Sequence, residues 1–352
     1  MVNYALQSDY TPISPSPPEA CEKLSTTIKL SEVLNVGTRL EASAFSIEAH
    51  NALTALRNSG LQLLPLYGSE GLCQEAHNAF RFKRIYVDAE HGVPFLSSSE
   101  IISLRPKTDR YLSQRYTRNL ETLLIQKWDV LVSRSGTIGN IGFATESFLD
   151  QALSEEVILI RSEDPDTAGF VAAFLRSRYG RLQLTQATYG SVIVHIELEH
   201  LERVWIPNLP PIRRISIGRL MCKAGELRDE ANKLLDQADL LLHERLKLPY
   251  LKDIAPSGKA SAVAKVKASE LMGRLEGSFH NPVARAAEQQ LKQLSVEVTT
   301  VGDSRVTEEV RAITRFRKRT YVEKGGIPLL SSKQLFQVDP IDVKRLAKGA
   351  HT

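Results

Sequence analysis

Cysteine is scarce, with three in 352 residues. Cys21, Cys73 and Cys222 are scattered and odd in number, so they form neither a disulfide framework nor a metal-ligand spacing, and a reducing cytoplasm is the expected location. The histidines show no ligand spacing either; His195 and His200 read as satisfied core or surface residues. Residues 1–22 lack a basic stretch followed by an apolar core, which argues against a secretory signal. No apolar run approaches the roughly 20 residues that a membrane helix needs. The net charge is a mild +4, which permits a polyanionic partner without requiring one. No serine sits in a nucleophile elbow, and no metal, cofactor or catalytic constellation emerges.

What is present is a duplication. Residues 39–45 (Arg-Leu-Glu-Ala-Ser-Ala-Phe) return as 274–279 (Arg-Leu-Glu-Gly-Ser-Phe). Residues 84–88 (Arg-Ile-Tyr-Val-Asp) return as 319–323 (Arg-Thr-Tyr-Val-Glu), and 92–98 (Gly-Val-Pro-Phe-Leu-Ser-Ser) as 326–332 (Gly-Ile-Pro-Leu-Leu-Ser-Ser). The order is kept and the offsets agree to within one residue, so these are two copies of a domain and not a short-period solenoid. The second copy stops at Thr352, short of the first, and a fragment is expected in preference to a natural half-length form.

The Pro-rich residues 11–18 read as an extended lead-in. The patterns predict strands over 129–133, 156–161 and 191–196. They also predict a helix over 167–178, with Gly180 as its C-cap glycine. From about 216 to 246 the chain reads as one long helix, in which Leu220, Leu227, Leu234 and Leu241 alternate with Ala224, Ala231 and Ala238. That is an a/d seam, better suited to a partner helix than to the wider face of a private core. Gly218 and Gly225 lie off the seam, and each weakens the helix by roughly 1 kcal/mol. Pro249 ends it, a linker around 256–258 follows, and a further helix is expected over 283–294 behind Asn281-Pro282.

The glycine-rich segment 133–142 matches neither G-x-G-x-x-G nor a phosphate loop ending in Lys-Ser/Thr, and reads as a tight turn between strands. Asn208-Leu209-Pro210-Pro211 fails the Asn-Pro-Pro-aromatic pattern of amino-methyltransferases, because leucine follows the asparagine. Basic residues interleaved with aromatics recur at equivalent places: Arg81, Lys83 and Arg84 before Tyr86, and Arg315, Arg317, Lys318 and Arg319 before Tyr321. Such a loop suits phosphate contacts. Arg105, Lys107, Arg110, Arg115 and Arg118 add charge, and the loop residues Arg134, Ser135 and Thr137 are further candidates to face a ligand. Gln114, Gln186, Thr188 and Tyr189 are candidate base readers, and Ser98 and Ser99 complete the set.

Together these pieces resemble the specificity subunit of type I restriction–modification systems. The resemblance rests on 92–101 (Gly-Val-Pro-Phe-Leu-Ser-Ser-Ser-Glu-Ile), on 129–139 (Asp-Val-Leu-Val-Ser-Arg-Ser-Gly-Thr-Ile-Gly), on 189–211 with its closing Leu-Pro-Pro, and on a long helix leading to a second copy. Ile212-Arg213-Arg214 departs from the acidic residue and glutamine common in that family. The resemblance implies an α/β (mixed α+β) target recognition domain, then a long coiled-coil-type helix, then a partial second copy. The expected boundaries are a lead-in over 1–24, a first recognition domain over 25–211, the helix over 212–248, a linker over 249–268 and an incomplete second domain over 269–352. It implies double-stranded DNA, methyltransferase subunits and a restriction/translocase subunit as partners, with self-association through the helix. It implies no catalysis and no cofactor in this chain, S-adenosylmethionine being bound by the methyltransferase partners. Two alternatives stand beside it: a coiled-coil interaction protein that does not read DNA, and a fragment of a DNA-modifying enzyme.

Overall fold

The computed structural model describes residues 28–35, 45–135, 138–162, 164–186, 195–250, 265–271, 273–311, 319–322, 325–340 and 343–349. Helix α1 (Leu30–Asn35) precedes α2 (Ile47–Arg57), which buries Ala49, Ala52 and Leu56 at helical spacing. Nine short strands follow: β1 (Leu63–Pro65), β2 (Glu75–Asn78), β3 (Tyr86–Val87), β4 (Gly92–Leu96), β5 (Tyr111–Ser113), β6 (Val130–Ser133), β7 (Ile141–Phe143), β8 (Ala152–Leu153) and β9 (Val157–Arg161). Then come α3 (Pro165–Arg176), α4 (Arg178–Gln186), α5 (Leu198–Leu201), β10 (Trp205–Pro207) and the 36-residue α6 (Pro211–Leu246). Helix α7 (Pro282–Lys292) and strands β11 (Tyr321–Val322), β12 (Ile327–Leu329) and β13 (Lys344–Leu346) complete the described elements. The architecture is mixed α+β with a long helix. The chain divides into two units, the first holding 1–101, 108–144 and 150–222, the second 102–107, 145–149 and 223–352.

In the first unit, β2-β9-β6-β7 form one sheet and β3-β5-β4-β8 another. All of β6 and the first four residues of β9 are buried, which is why their sequences run apolar without alternation. Val132, Ile158, Val171, Leu175 and Leu184 pack in the main core. The glycine-rich segment lies between antiparallel β6 and β7, and in its described part Gly139 supplies a φ of +80°, while residues 136–137 lie outside the described residues.

Two details differ from the sequence reading. Helix α3 begins at Pro165, with the Asp164 side chain accepting from Thr167 N at 2.8 Å, and it ends where Ser177 Oγ donates to Phe174 O. Gly180 is therefore no C-cap but lies inside α4, where an added Cβ would sit 2.5 Å from Phe174 O. Its glycine is needed for close packing, not for a left-handed turn. Of the strand expected over 191–196, residues 191–194 lie outside the described residues, and His195 pairs with Ser135.

Helix α6 starts at Pro211, where a missing N–H costs nothing, and ends at Leu246, just ahead of Lys247 with φ +50°. It carries two stripes. Leu220, Leu227, Leu234 and Leu241 are 51–70% exposed, and Ala224, Ala231 and Ala238 are exposed between them. Two residues out of phase, about 200° around the helix, Gly218, Cys222, Gly225 and Asp229 are buried. In the first unit, α6 meets α3 so closely that a Cβ on Gly218 would collide with Asp166 O, and Cys222 Sγ lies 3.4 Å from Pro165 O. In the second unit, Asp229 accepts from Thr145 Oγ1 (2.7 Å), Glu146 N (3.0 Å), Ser147 N (3.1 Å) and Ser147 Oγ (2.5 Å). Asn232 Nδ2 donates to Leu104 O at 3.1 Å, and Asp236 pairs with Arg105 and Lys107.

The second unit also repeats a sheet. Its order β11-β13-β12 matches the β3-β5-β4 part of the first unit's sheet: β11 and β12 run antiparallel to β13 as β3 and β4 run antiparallel to β5. Gly326 meets Val322, Arg345 and Leu346 as Gly92 meets Val87, Tyr111 and Leu112. Ser331 N donates to the Gln334 side chain just as Ser97 N donates to Glu100. Ile102–Leu104 pairs antiparallel with its own counterpart, Phe336–Val338: Leu104 N donates to Phe336 O (2.8 Å) and Val338 N to Ile102 O (3.1 Å), so the two bonds interchange under a local two-fold axis.

Burial pushes the Asp229 carboxyl up, but the bonds from Ser147, Thr145 and Glu146 outweigh it and hold the group below the usual carboxylate range. A depressed folded pKa gives stability that is present above the unfolded value of about 3.9 and is lost as pH falls through the folded value. Asp229→Asn is expected to cost about 1–3 kcal/mol at neutral pH. The gap from the parent, followed by urea unfolding, is expected to narrow in acid. A gap that stays constant down to pH 2 contradicts this assignment.

Candidate nucleic-acid interface

The antiparallel pairing of β3 with β5 puts the segment entering β3 beside the segment leaving β5, joined by Ser113 N donating to Ile85 O at 2.9 Å. Residues 79–85 and 113–118 therefore share one end of the sheet. Arg81, Lys83, Gln114, Arg115, Tyr116 and Arg118 are all exposed there. Arg81, Lys83, Arg115 and Arg118 make no ion pair among the described residues, although the Arg115 guanidinium lies 5.5 Å over the Tyr116 ring. The crossover from β3 to β4 returns to this end, where His91 O accepts from Gln114 N at 3.3 Å. That crossover brings Glu90, but the cations outnumber it.

Phe82 turns inward and meets Phe95 edge-on at 6.2 Å, which anchors the loop. Arg84 and Arg110 stand over Phe95 at 5.3 and 5.9 Å, and Tyr86 approaches it at 6.3 Å. Arg84 is further held by Glu155 at 2.5 Å, and that bond raises the guanidinium's already high pKa. Ser99 is exposed and donates to Glu100, while Ser98 is half-buried on the same turn.

Arg134 and Ser135 belong to a different network. The Arg134 side chain is only 15% exposed and holds Glu197 through both Nε and Nη2; Ser135 is buried and donates to Glu156. Consecutive carboxylates thus hold both groups, Glu155 taking Arg84 and Glu156 taking Ser135, with Arg134 Nη1 at 3.9 Å from Glu156. Glu155, Glu156 and Glu197 do not stand out in the sequence; the signal for the first two is an acidic pair ahead of an apolar strand, and Glu197 has none. Gln186 is half-buried at the end of α4. His200 Nδ1 accepts from Glu197 N at 2.8 Å, and burial pushes its imidazole pKa down. Arg319 is exposed ahead of β11, as Arg84 stands ahead of β3. Thr137, Thr188, Tyr189, Arg315, Arg317 and Lys318 lie outside the described residues. No cluster of metal-ligating residues and no helix long and apolar enough to cross a membrane occurs among the described residues.

No protein-family model matches the chain, and no curated protein matches it. Solved structures do. One, described as the basis of complex assembly and conformational transition of a type I R-M system, is 17% identical with a TM-score of 0.36, over 61% of this chain and 53% of that one. The HsdS subunit from Thermoanaerobacter tengcongensis is 19% identical with a TM-score of 0.33, over 57% and 50%. A type I restriction-modification S subunit from M. genitalium is 14% identical with a TM-score of 0.30, over 56% and 47%. The chain spans about half the length of each of these.

The two networks respond differently to substitution. Arg81→Ala with Lys83→Ala is expected to lower the slope of log affinity against log salt for duplex DNA by about 2, without changing the melting temperature. Arg134→Ala is expected to cost about 1–3 kcal/mol of stability by removing the guanidinium that holds Glu197 through Nε and Nη2. An unchanged salt slope in the double variant would mean that the basic end is only a solvated face.

Proposed function

We propose that this chain is a non-catalytic DNA sequence-specificity subunit of a type I restriction–modification system. The observation that carries the reading is a pair of surfaces left open in one chain: the unpaired cations at the end of β3 and β5, and the exposed Leu/Ala stripe of α6. The first suits phosphate contacts and the second suits a partner helix. The quoted sequence blocks support the same reading.

On this reading the first recognition domain reads part of a bipartite DNA target. The long helix pairs with a second helix, from another copy or from a longer form of the subunit, and docks the methyltransferase subunits. Those partners bind S-adenosylmethionine and act on a base taken out of the duplex, and a nuclease–translocase subunit joins them for cleavage. The chain works in the cytoplasm. This is consistent with buried Cys73 and Cys222, the Cys73 thiol being pushed up to about 12 by burial and by nearby Asp164 and therefore inert.

The exposed stripe also suits a coiled-coil interaction protein without DNA reading, and salt-dependent duplex binding separates the two. Leu227→Asp and Leu234→Asp sit on exposed positions, so both variants are expected to fold normally. In co-purification with the methyltransferase subunits, each is expected to lose most of the assembled complex. Full assembly by both variants would exclude the stripe as the pairing surface.

A further inference from the structure

We propose that Phe80 stacks on DNA bases, wedging into the duplex that the basic end holds. The inference rests on the DNA-binding reading above and deepens it. Phe80 is 89% exposed, the highest value among the described large hydrophobic side chains that stand out in solvent. Burying such a ring is worth about 1.5–3 kcal/mol, so folding gives no reason to leave it in water.

The ring is also held out. Two residues before it, Asn78 is registered against Ile158 at the end of β2; two residues after it, Phe82 is packed on Phe95. The backbone of Phe80 is pinned on both sides, so its ring is presented without a large ordering cost on binding. Arg81 and Lys83, on the same loop, are exposed and unpaired, and Tyr116 stands exposed on the adjoining segment. Aromatic faces set among free cations fit a polyanion whose interior offers flat π surfaces, which favours DNA over a protein partner. In an intact duplex those faces are hidden within the stack. Phe80 therefore reaches them by opening a base step, and DNA already unstacked at one point accepts it at lower cost.

The test uses the full chain, a labelled mixed-sequence duplex and the same duplex carrying a one-base gap. The parent is expected to bind the gapped duplex several-fold more tightly. Phe80→Ala is expected to weaken binding by about tenfold and to erase the preference for the gap, with its salt slope and melting temperature unchanged. Phe80→Trp is expected to keep the preference and to show fluorescence quenching when DNA is added. If Phe80→Ala matches the parent on both duplexes, the wedge is wrong and the DNA-binding reading stands. If the parent shows no salt-dependent binding to either duplex, both are wrong.

Discussion

The long helix depends on its close crossing over α3 at Gly218 and Gly169. A Cβ on either glycine would meet the opposing backbone, so the helix approaches through its smallest residues. That choice fixes the rest of its circumference. With Gly218, Cys222, Gly225 and Asp229 turned inward, the leucines two positions out of phase must face solvent. Four large apolar side chains along one line are costly to leave exposed on a lone helix, and an apolar line at heptad spacing has a partner helix as its natural cover. The same geometry accounts for an aspartate buried on a helix. Asp229 collects four donors from residues 145–147, so the inner stripe is continued by hydrogen bonds where small residues stop.

A second constraint sorts the cations. Glu155 and Glu156, just ahead of β9, engage Arg84 and Ser135, and Glu197 engages Arg134. Those arginines are held in place by carboxylates. Arg81, Lys83, Arg115 and Arg118 have no such partner among the described residues and stay available to an incoming anion. Charge that is neutralised within the fold adds little to a salt-dependent affinity, whereas unpaired charge supplies most of it.

Much of this was legible in the sequence where one physical rule dominated. Strands β6 and β9 were readable because both are buried runs of branched residues. Helix α6 was readable because seven positions repeat without interruption, and α7 because Asn281 caps it ahead of Pro282. The matched blocks fall on β3 and β4 and on β11 and β12, down to the equivalent Gly92 and Gly326, but the central strands β5 and β13 lie in no matched block, so the repeated sheet itself was not legible. The inner stripe of α6 was not legible, because glycine, cysteine and aspartate make no hydrophobic pattern. The role of Gly180 was not legible, because a glycine after a helix signals a C-cap more often than a tight contact back onto the end of that same helix. Nor can a sequence tell Arg134 from Arg81, since what distinguishes them is which carboxylates the fold brings alongside.

The central claim, a specificity role in DNA modification, is tested most directly by mapping adenine methylation across the host genome with and without the gene for this chain. The account predicts that deletion abolishes methylation at one motif and that restoring the gene restores it. A symmetric motif fits two copies joined through α6, and an asymmetric bipartite one fits a longer form of the subunit. A methylation map unchanged by deletion, in cells where the partner methyltransferase is expressed, would contradict the account.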